Sequence, residues 1–158
     1  MQKITPFLWF NDQAEEAMNL YTSVFKNSKV VSATRNPAGA PGPEGAMLVG
    51  SIILDGQEFL LLNGGPQFSF SPAISFVVDC KTQEEVDEFW EKLSEGGGEK
   101  QQCGWLKDRF GVSWQIVPSV MGQLMSSATP AQASRIMQAM MQMTKIDIAK
   151  LQEAFDQE

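Results

Sequence analysis

The sequence predicts an α+β protein made of two tandem β-α-β-β-β modules followed by C-terminal helices. Three observations carry that prediction. The order strand, helix, strand, strand, strand reads twice along the chain, with little residue identity between the passes. Each pass contains a hairpin signal, Asp55-Gly56 in the first and Asp108-Arg-Phe-Gly111 in the second. From Val120 onward the apolar spacing becomes helical and stays so.

The first module opens on a strand expected over Ile4 to Phe10. Pro6 lacks an N–H, so an edge position or a strand start is expected. Thr5, Phe7 and Trp9 share one face, and Ile4, Leu8 and Phe10 the other. Asn11 or Asp12 is the expected cap of a helix whose stripe is Ala14, Ala17, Met18, Tyr21 and Phe25. Lys29 to Arg35 reads as a strand, and 36–45 as a Pro/Gly-rich loop. Met47 to Leu54 and Gln57 to Leu62 then form a hairpin about Asp55-Gly56.

The second module starts with a strand expected over Ala73 to Val78. Thr82, with Glu85 three residues on, signals a capping box for a helix that buries Val86, Phe89, Trp90 and Leu93. Gly96-Gly97-Gly98 ends that helix; it follows a helix and precedes none, so it is no phosphate loop. Glu99 to Cys103 is an expected strand. It leads to a hairpin of Trp105 to Arg109 and Val112 to Val117. In the tail, Thr129-Pro130 and Asp147 mark two helix starts. The domain reading is one unit over residues 1–119, with modules 1–66 and 70–119, and a helical extension over 120–158.

Composition narrows the function classes. The net charge of −7 argues against nucleic-acid binding, which needs cations to displace counterions from phosphate. Two Cys form no disulfide framework, and no apolar run is long enough to span a membrane, so a cytoplasmic protein is expected. The chain has no His. That removes Ser-His-Asp and Cys-His catalysis and the commonest metal ligand, leaving only hard ions held by oxygen donors.

The densest polar-aromatic set is Cys103, Trp105, Lys107, Asp108 and Arg109. Strand parity would aim Lys107 and Arg109 together at an anionic group, or leave both as a solvated, charge-protected edge. Cys103 is a nucleophile only if Lys107 or Arg109 lowers its thiol pKa. In the last strand Ser113, Gln115 and Val117 share one face, and Trp114 and Ile116 the other. Gln115 is a ligand contact if that face meets a cavity, and an ordinary strand residue if it meets water.

The opening Ile4-Thr-Pro-Phe-Leu-Trp-Phe-Asn-Asp-Gln-Ala-Glu-Glu-Ala17 with Tyr21 and Phe25, and the closing Cys103-Gly-Trp and Asp108-Arg-Phe-Gly-Val-Ser-Trp-Gln-Ile-Val-Pro118, point one way. With them the chain resembles the PhnB-like branch of the vicinal oxygen chelate superfamily. That branch carries the label "3-demethylubiquinone-9 3-methyltransferase". Glyoxalase I, bleomycin-resistance proteins and extradiol dioxygenases share the superfamily. The tail from Arg135 to Leu151 also looks like the branch's ending.

The resemblance implies a cavity half-built by each module and a homodimer. The superfamily's metal positions match Thr5, Leu60 or Leu62, Ala73 and Gln115, of which only Gln115, and Thr5 weakly, can donate. No metal and no cofactor is therefore expected. A small apolar or aromatic ligand is expected in a cavity lined by Thr5, Phe7, Trp9, Ser75, Val77, Trp105, Lys107, Arg109 and Gln115. The alternatives are a sequestering protein without turnover, a dimeric scaffold with a closed cavity, and the methyltransferase of the branch label. The last lacks a Gly-rich strand-to-helix turn for S-adenosylmethionine.

Overall fold

A computed structural model describes residues 2–158. The chain divides into two compact units, Met1–Phe70 and Ser71–Glu158. In the first, β1 (Phe7–Phe10), α1 (Ala14–Val24), β2 (Lys29–Arg35), β3 (Met47–Leu54) and β4 (Gln57–Asn63) follow the expected order. They form a four-stranded sheet of order β1-β4-β3-β2, parallel at β1–β4 and antiparallel elsewhere.

Helix α1 covers one face of this sheet. Ala14, Ala17, Met18, Tyr21 and Val24 are buried with Leu8, Phe10, Ile52, Phe59 and Leu61. At Asp55-Gly56 both φ angles are positive, 47° and 82°, the geometry of a two-residue hairpin turn. β1 lies at the sheet edge, where Pro6 costs no ladder donor. The strand starts at Phe7 instead of Ile4, although the Pro6 carbonyl still accepts from the Leu60 N–H at 2.9 Å. Neither Asn11 nor Asp12 caps α1. The Asn63 side chain, from the end of β4, accepts from the Ala14 N–H at 2.8 Å and donates to the Met47 carbonyl at 2.9 Å.

In the second unit, β5 (Ser75–Cys80), α2 (Gln83–Ser94), β6 (Glu99–Lys100), β7 (Trp105–Lys107) and β8 (Ser113–Pro118) repeat the order. The sheet runs β5-β8-β7-β6, with β5 parallel to β8. Val86, Trp90 and Leu93 of α2 are buried on the same side as Val78, Cys80, Leu106, Trp114 and Ile116. β5 begins two residues later than expected, because Ser71 turns the chain: its carbonyl and hydroxyl accept from the Ile74 and Ala73 N–H groups. The capping signal is half realised. Thr82 accepts from the Glu85 N–H at 3.1 Å, while Glu85 accepts from Lys81 and not from Thr82.

The tail, α3 (Ser119–Ser127), α4 (Pro130–Met141) and α5 (Ile148–Asp156), belongs to the second unit. Thr129 and Gln132 form a full capping box, and Asp147 caps α5. Leu124, Ile136, Met143, Ile146, Leu151 and Ala154 bury one another. Much of the tail's apolar surface is thus buried within the chain itself.

The tail is also tied down. Gln83 of α2 donates to the Ile146 carbonyl at 3.0 Å and accepts from the Ile148 N–H at 2.8 Å. Asp87 pairs with Lys145 at 2.8 Å. Hydrogen bonding from Lys145, then from Gln83, holds the Asp87 carboxyl below its ordinary value. Its folded pKa is lowered, so its contribution is present above the unfolded carboxylate pKa and is lost only as pH falls through the lowered value. Both partners are over a third exposed, so solvent screening keeps that contribution small. Among the described residues no helix is long and apolar enough to cross a membrane.

Candidate functional site

The ladders place each candidate side chain on the second sheet. Val77, Gln115 and Trp105 are Cα partners across β5, β8 and β7. Ser75, Ser113, Lys107 and Glu99 form the adjacent row across β5, β8, β7 and β6. Strand parity puts both rows on the face opposite α2. Gln115 donates from Nε2 to the Ser75 hydroxyl at 2.9 Å, so its amide is oriented by the sheet. Val77 is 62% exposed, and Trp105, Lys107 and Gln115 are half-buried. The face therefore alternates apolar, aromatic and hydrogen-bonding groups, which suits a small molecule with an apolar body and a polar end.

The first sheet carries the counterpart face. Here the equivalent rows are Trp9, Leu62, Val49 and Phe7, Leu60, Ser51. When the first pairs of the two parallel ladders, Phe7–Leu60 and Ser75–Ser113, are aligned, Leu62 corresponds to Gln115 and Ser51 to Lys107. The same polar positions of the second sheet are thus largely apolar in the first. Trp9 is fixed: its indole donates to the Gly65 carbonyl at 2.9 Å, and its ring meets Phe68 edge-on at 5.0 Å. A Cβ on Gly64 would overlap that ring. Phe7 remains 52% exposed, so it does not close the face. Thr5 is half-buried and precedes β1, outside the ladder.

Arg109 departs from its expected direction. β7 ends at Lys107, so strand parity does not carry to Arg109. Its guanidinium lies 4.7 Å from the Phe110 ring centroid, and its Cδ would meet a Cβ on Gly96 at 3.0 Å. It packs at the end of α2 and is not aligned with Lys107. Asp108, grouped with the chemical candidates by sequence, instead holds the hairpin. It is 2% exposed and accepts from the Phe110 N–H, the Val112 N–H and the Trp114 indole at 2.9, 3.0 and 2.9 Å. The Asp-x-x-Gly signal showed the turn; no local signal marked the bond to Trp114.

The Cys80 thiol is not set up as a nucleophile by what surrounds it. Burial, with Glu85 and Asp79 adding, pushes the Cys80 thiol up to about 12, so it stays protonated at neutral pH. Cys103 sits in a turn with φ of 60°, its N–H given to the Met143 carbonyl at 2.9 Å.

The superfamily's metal does not fit these residues. Leu60 and Leu62, the two strand-four matches, share one face of β4, and Ala73 lies in the turn before β5. Two of the four matched side chains are hydrocarbon, and Gln115 is already bonded to Ser75. Among the described residues no three His, Cys, Asp or Glu side chains group as ligands. A surface depression of about 390 Å³ lies between α2 and β6, lined by Glu91, Lys92, Ser94, Glu95, Gly98 and Lys100. Three of its four charges are paired, Lys100 with Glu91 and Lys92 with Glu88, and it lies on the α2 side of the sheet.

The family model described as 3-demethylubiquinone-9 3-methyltransferase matches residues 2–117, stopping before the helical tail. A Bacillus cereus structure described as a candidate 3-demethylubiquinone-9 3-methyltransferase, PhnB protein, is 41% identical with TM-score 0.70, covering 75% of this chain and 100% of its own. Protein PA1353 from Pseudomonas aeruginosa is 19% identical with TM-score 0.62, covering 75% and 98%. The fosfomycin resistance protein FosX from Mesorhizobium loti, 11% identical with TM-score 0.56 over 78% and 98%, shares the fold alone. A search of curated proteins found no match.

Proposed function

Because the chain belongs to the PhnB-like 3-demethylubiquinone-9 3-methyltransferase family, on the glyoxalase-like fold of the vicinal oxygen chelate superfamily, we propose that it binds a small apolar or aromatic molecule on the open sheet faces without a metal. The observation that carries this reading is the Val77–Gln115–Trp105 row, with its amide held by Ser75. Trp105 and Val77 supply apolar contact, and the free carbonyl oxygen of Gln115 supplies an orienting acceptor. On the first sheet, Phe7, Leu60 and Leu62 offer apolar area.

Methyl transfer stays outside the reading. Both sheets are mixed and four-stranded, and the turn from β1 to α1, Asn11-Asp12-Gln13, carries no glycine. Native mass spectrometry of the protein as purified tests the proposal. A small molecule should be released on denaturation and lost from a folded Trp105→Ala variant. Equal retention by wild type, Trp105→Ala and Gln115→Leu would refute the assigned face.

We also propose a homodimer. Support comes from apolar side chains that the chain leaves uncovered, Ile4 at 88%, Ile74 at 73% and Phe68 at 58% exposure. Light scattering at micromolar concentration should give twice the 17.4 kDa chain mass; a single-chain mass sinks this part.

A further inference from the structure

The row beside Gln115 has two unmet groups. Ser113 is 3% exposed, and its hydroxyl makes no hydrogen bond among the described residues. Its backbone pairs with Ser75 on one side and Lys107 on the other. Directly paired side chains stand about 5 Å apart at Cβ, so one small ligand group can reach both Ser113 and Lys107. Lys107 is half-buried, and the ion pairs of the described residues engage Arg35, Lys92, Lys100 and Lys145 instead.

The carboxylates that share this face are occupied or distant. Ser119 donates to both oxygens of Asp79 at 2.8 Å, two positions beyond Val77. Glu99, across from Lys107 on β6, accepts from Gln101 at 3.4 Å and makes no ion pair with Lys107. Lys107 without an ion-pair partner stands beside the Ser113 hydroxyl without a hydrogen bond, so two neighbouring donors on this face are free to meet one anion.

We propose that Lys107 and Ser113 form an anion subsite, and that the ligand is an aromatic or apolar molecule carrying a carboxylate or phosphonate. The ammonium and the Ser113 hydroxyl donate to the anion, while Trp105 and Val77 contact the apolar body. Ser75 is left out, since its hydroxyl serves Gln115. The first sheet cannot duplicate the subsite, because Ser51 replaces Lys107 there and bonds to Glu58 at 3.0 Å.

This inference rests on the proposed function, and paired probes separate the two. Binding of 1-naphthoate and of its uncharged analogue 1-naphthamide is measured by calorimetry and mapped by amide shifts in the full chain. Naphthoate should bind about tenfold more tightly, with shifts at Trp105, Ser113 and Gln115, as expected for a charge-assisted pair. Lys107→Met should erase the preference, Lys107→Arg should retain most of it, and Ser113→Ala should reduce it severalfold. Melting curves and light scattering on each variant check folding and mass. Equal affinity for both probes on this face would overturn the anion subsite and leave the proposed function standing. No shift on this face with either probe would overturn both. A dimer that dissociates in Lys107→Met would make the occupant a second copy and overturn the subsite.

Discussion

Asp108→Ala is expected to lower the stability of the second unit by about 3–5 kcal/mol. The carboxyl is buried and accepts from two backbone N–H groups and one indole. Removing it strands three donors, each costing about 1–3 kcal/mol when left unsatisfied, with some relief from water entering the gap. Asp108→Asn separates charge from geometry. The amide oxygen can still serve Phe110 and Val112, but its NH2 then opposes the indole N–H of Trp114. About half the loss is expected. Trp114→Phe removes that donor together with part of a buried ring, so it destabilises by itself, but its cost and that of Asp108→Asn should be less than additive in the double variant. Urea unfolding followed by circular dichroism reads each variant. A loss under about 1 kcal/mol for Asp108→Ala would show that the hairpin does not depend on this residue.

The second large effect is expected at Gly104. Its φ is 81°, and an added Cβ would lie 2.8 Å from the Ile116 carbonyl oxygen and 3.0 Å from Ile146 Cγ1. Its N–H donates to the Thr144 carbonyl at 2.8 Å, so the turn that starts β7 is fastened to the tail. Gly104→Ala combines left-handed strain with backbone overlap, about 2–4 kcal/mol together. It should also raise hydrogen exchange at Thr144–Ile148 and disturb the neighbouring Trp105. Gly122→Ala in α3 is the control. Nothing lies within 4 Å of its added Cβ, and a helical Gly→Ala change favours the fold by about 0.5–1 kcal/mol. If both variants behave alike, the tail is not coupled to the open face through this turn.

These two positions also show where sequence reading stops. The alternation Phe7/Trp9 against Leu8/Phe10, and Ser113/Gln115 against Trp114/Ile116, was legible because side-chain parity is a property of the strand alone. The Asp55-Gly56 turn and the Thr129 and Asp147 caps were legible for the same local reason. Glu99 to Cys103 failed as a strand past Lys100, because Cys103 and Gly104 take positive φ and give their N–H groups to Met143 and Thr144. The cap of α1 comes from Asn63, far along the chain. Arg109 was misaligned because the turn at Asp108 interrupts parity two residues earlier than the sequence indicated. Each miss involves a partner distant in sequence, which no local pattern reports.

The candidate face followed the same division. The family resemblance named Ser75, Val77, Trp105, Lys107 and Gln115 together as cavity-lining, while parity alone told only which neighbours within one strand share a face. That Gln115 is held by Ser75 and that the Ser113 hydroxyl makes no hydrogen bond required the two parallel pairings. Those pairings join strands separated by a helix and a hairpin, so their register is set by packing against α1 and α2.

The most direct test of the ligand face is a crystal structure of the protein as purified, without added ligand. Unassigned density is expected against Trp105 and Val77, with one end within hydrogen-bonding distance of Gln115 or Lys107. A face filled by a neighbouring subunit of the assembly, or density seated only over α2 and β6, would contradict it.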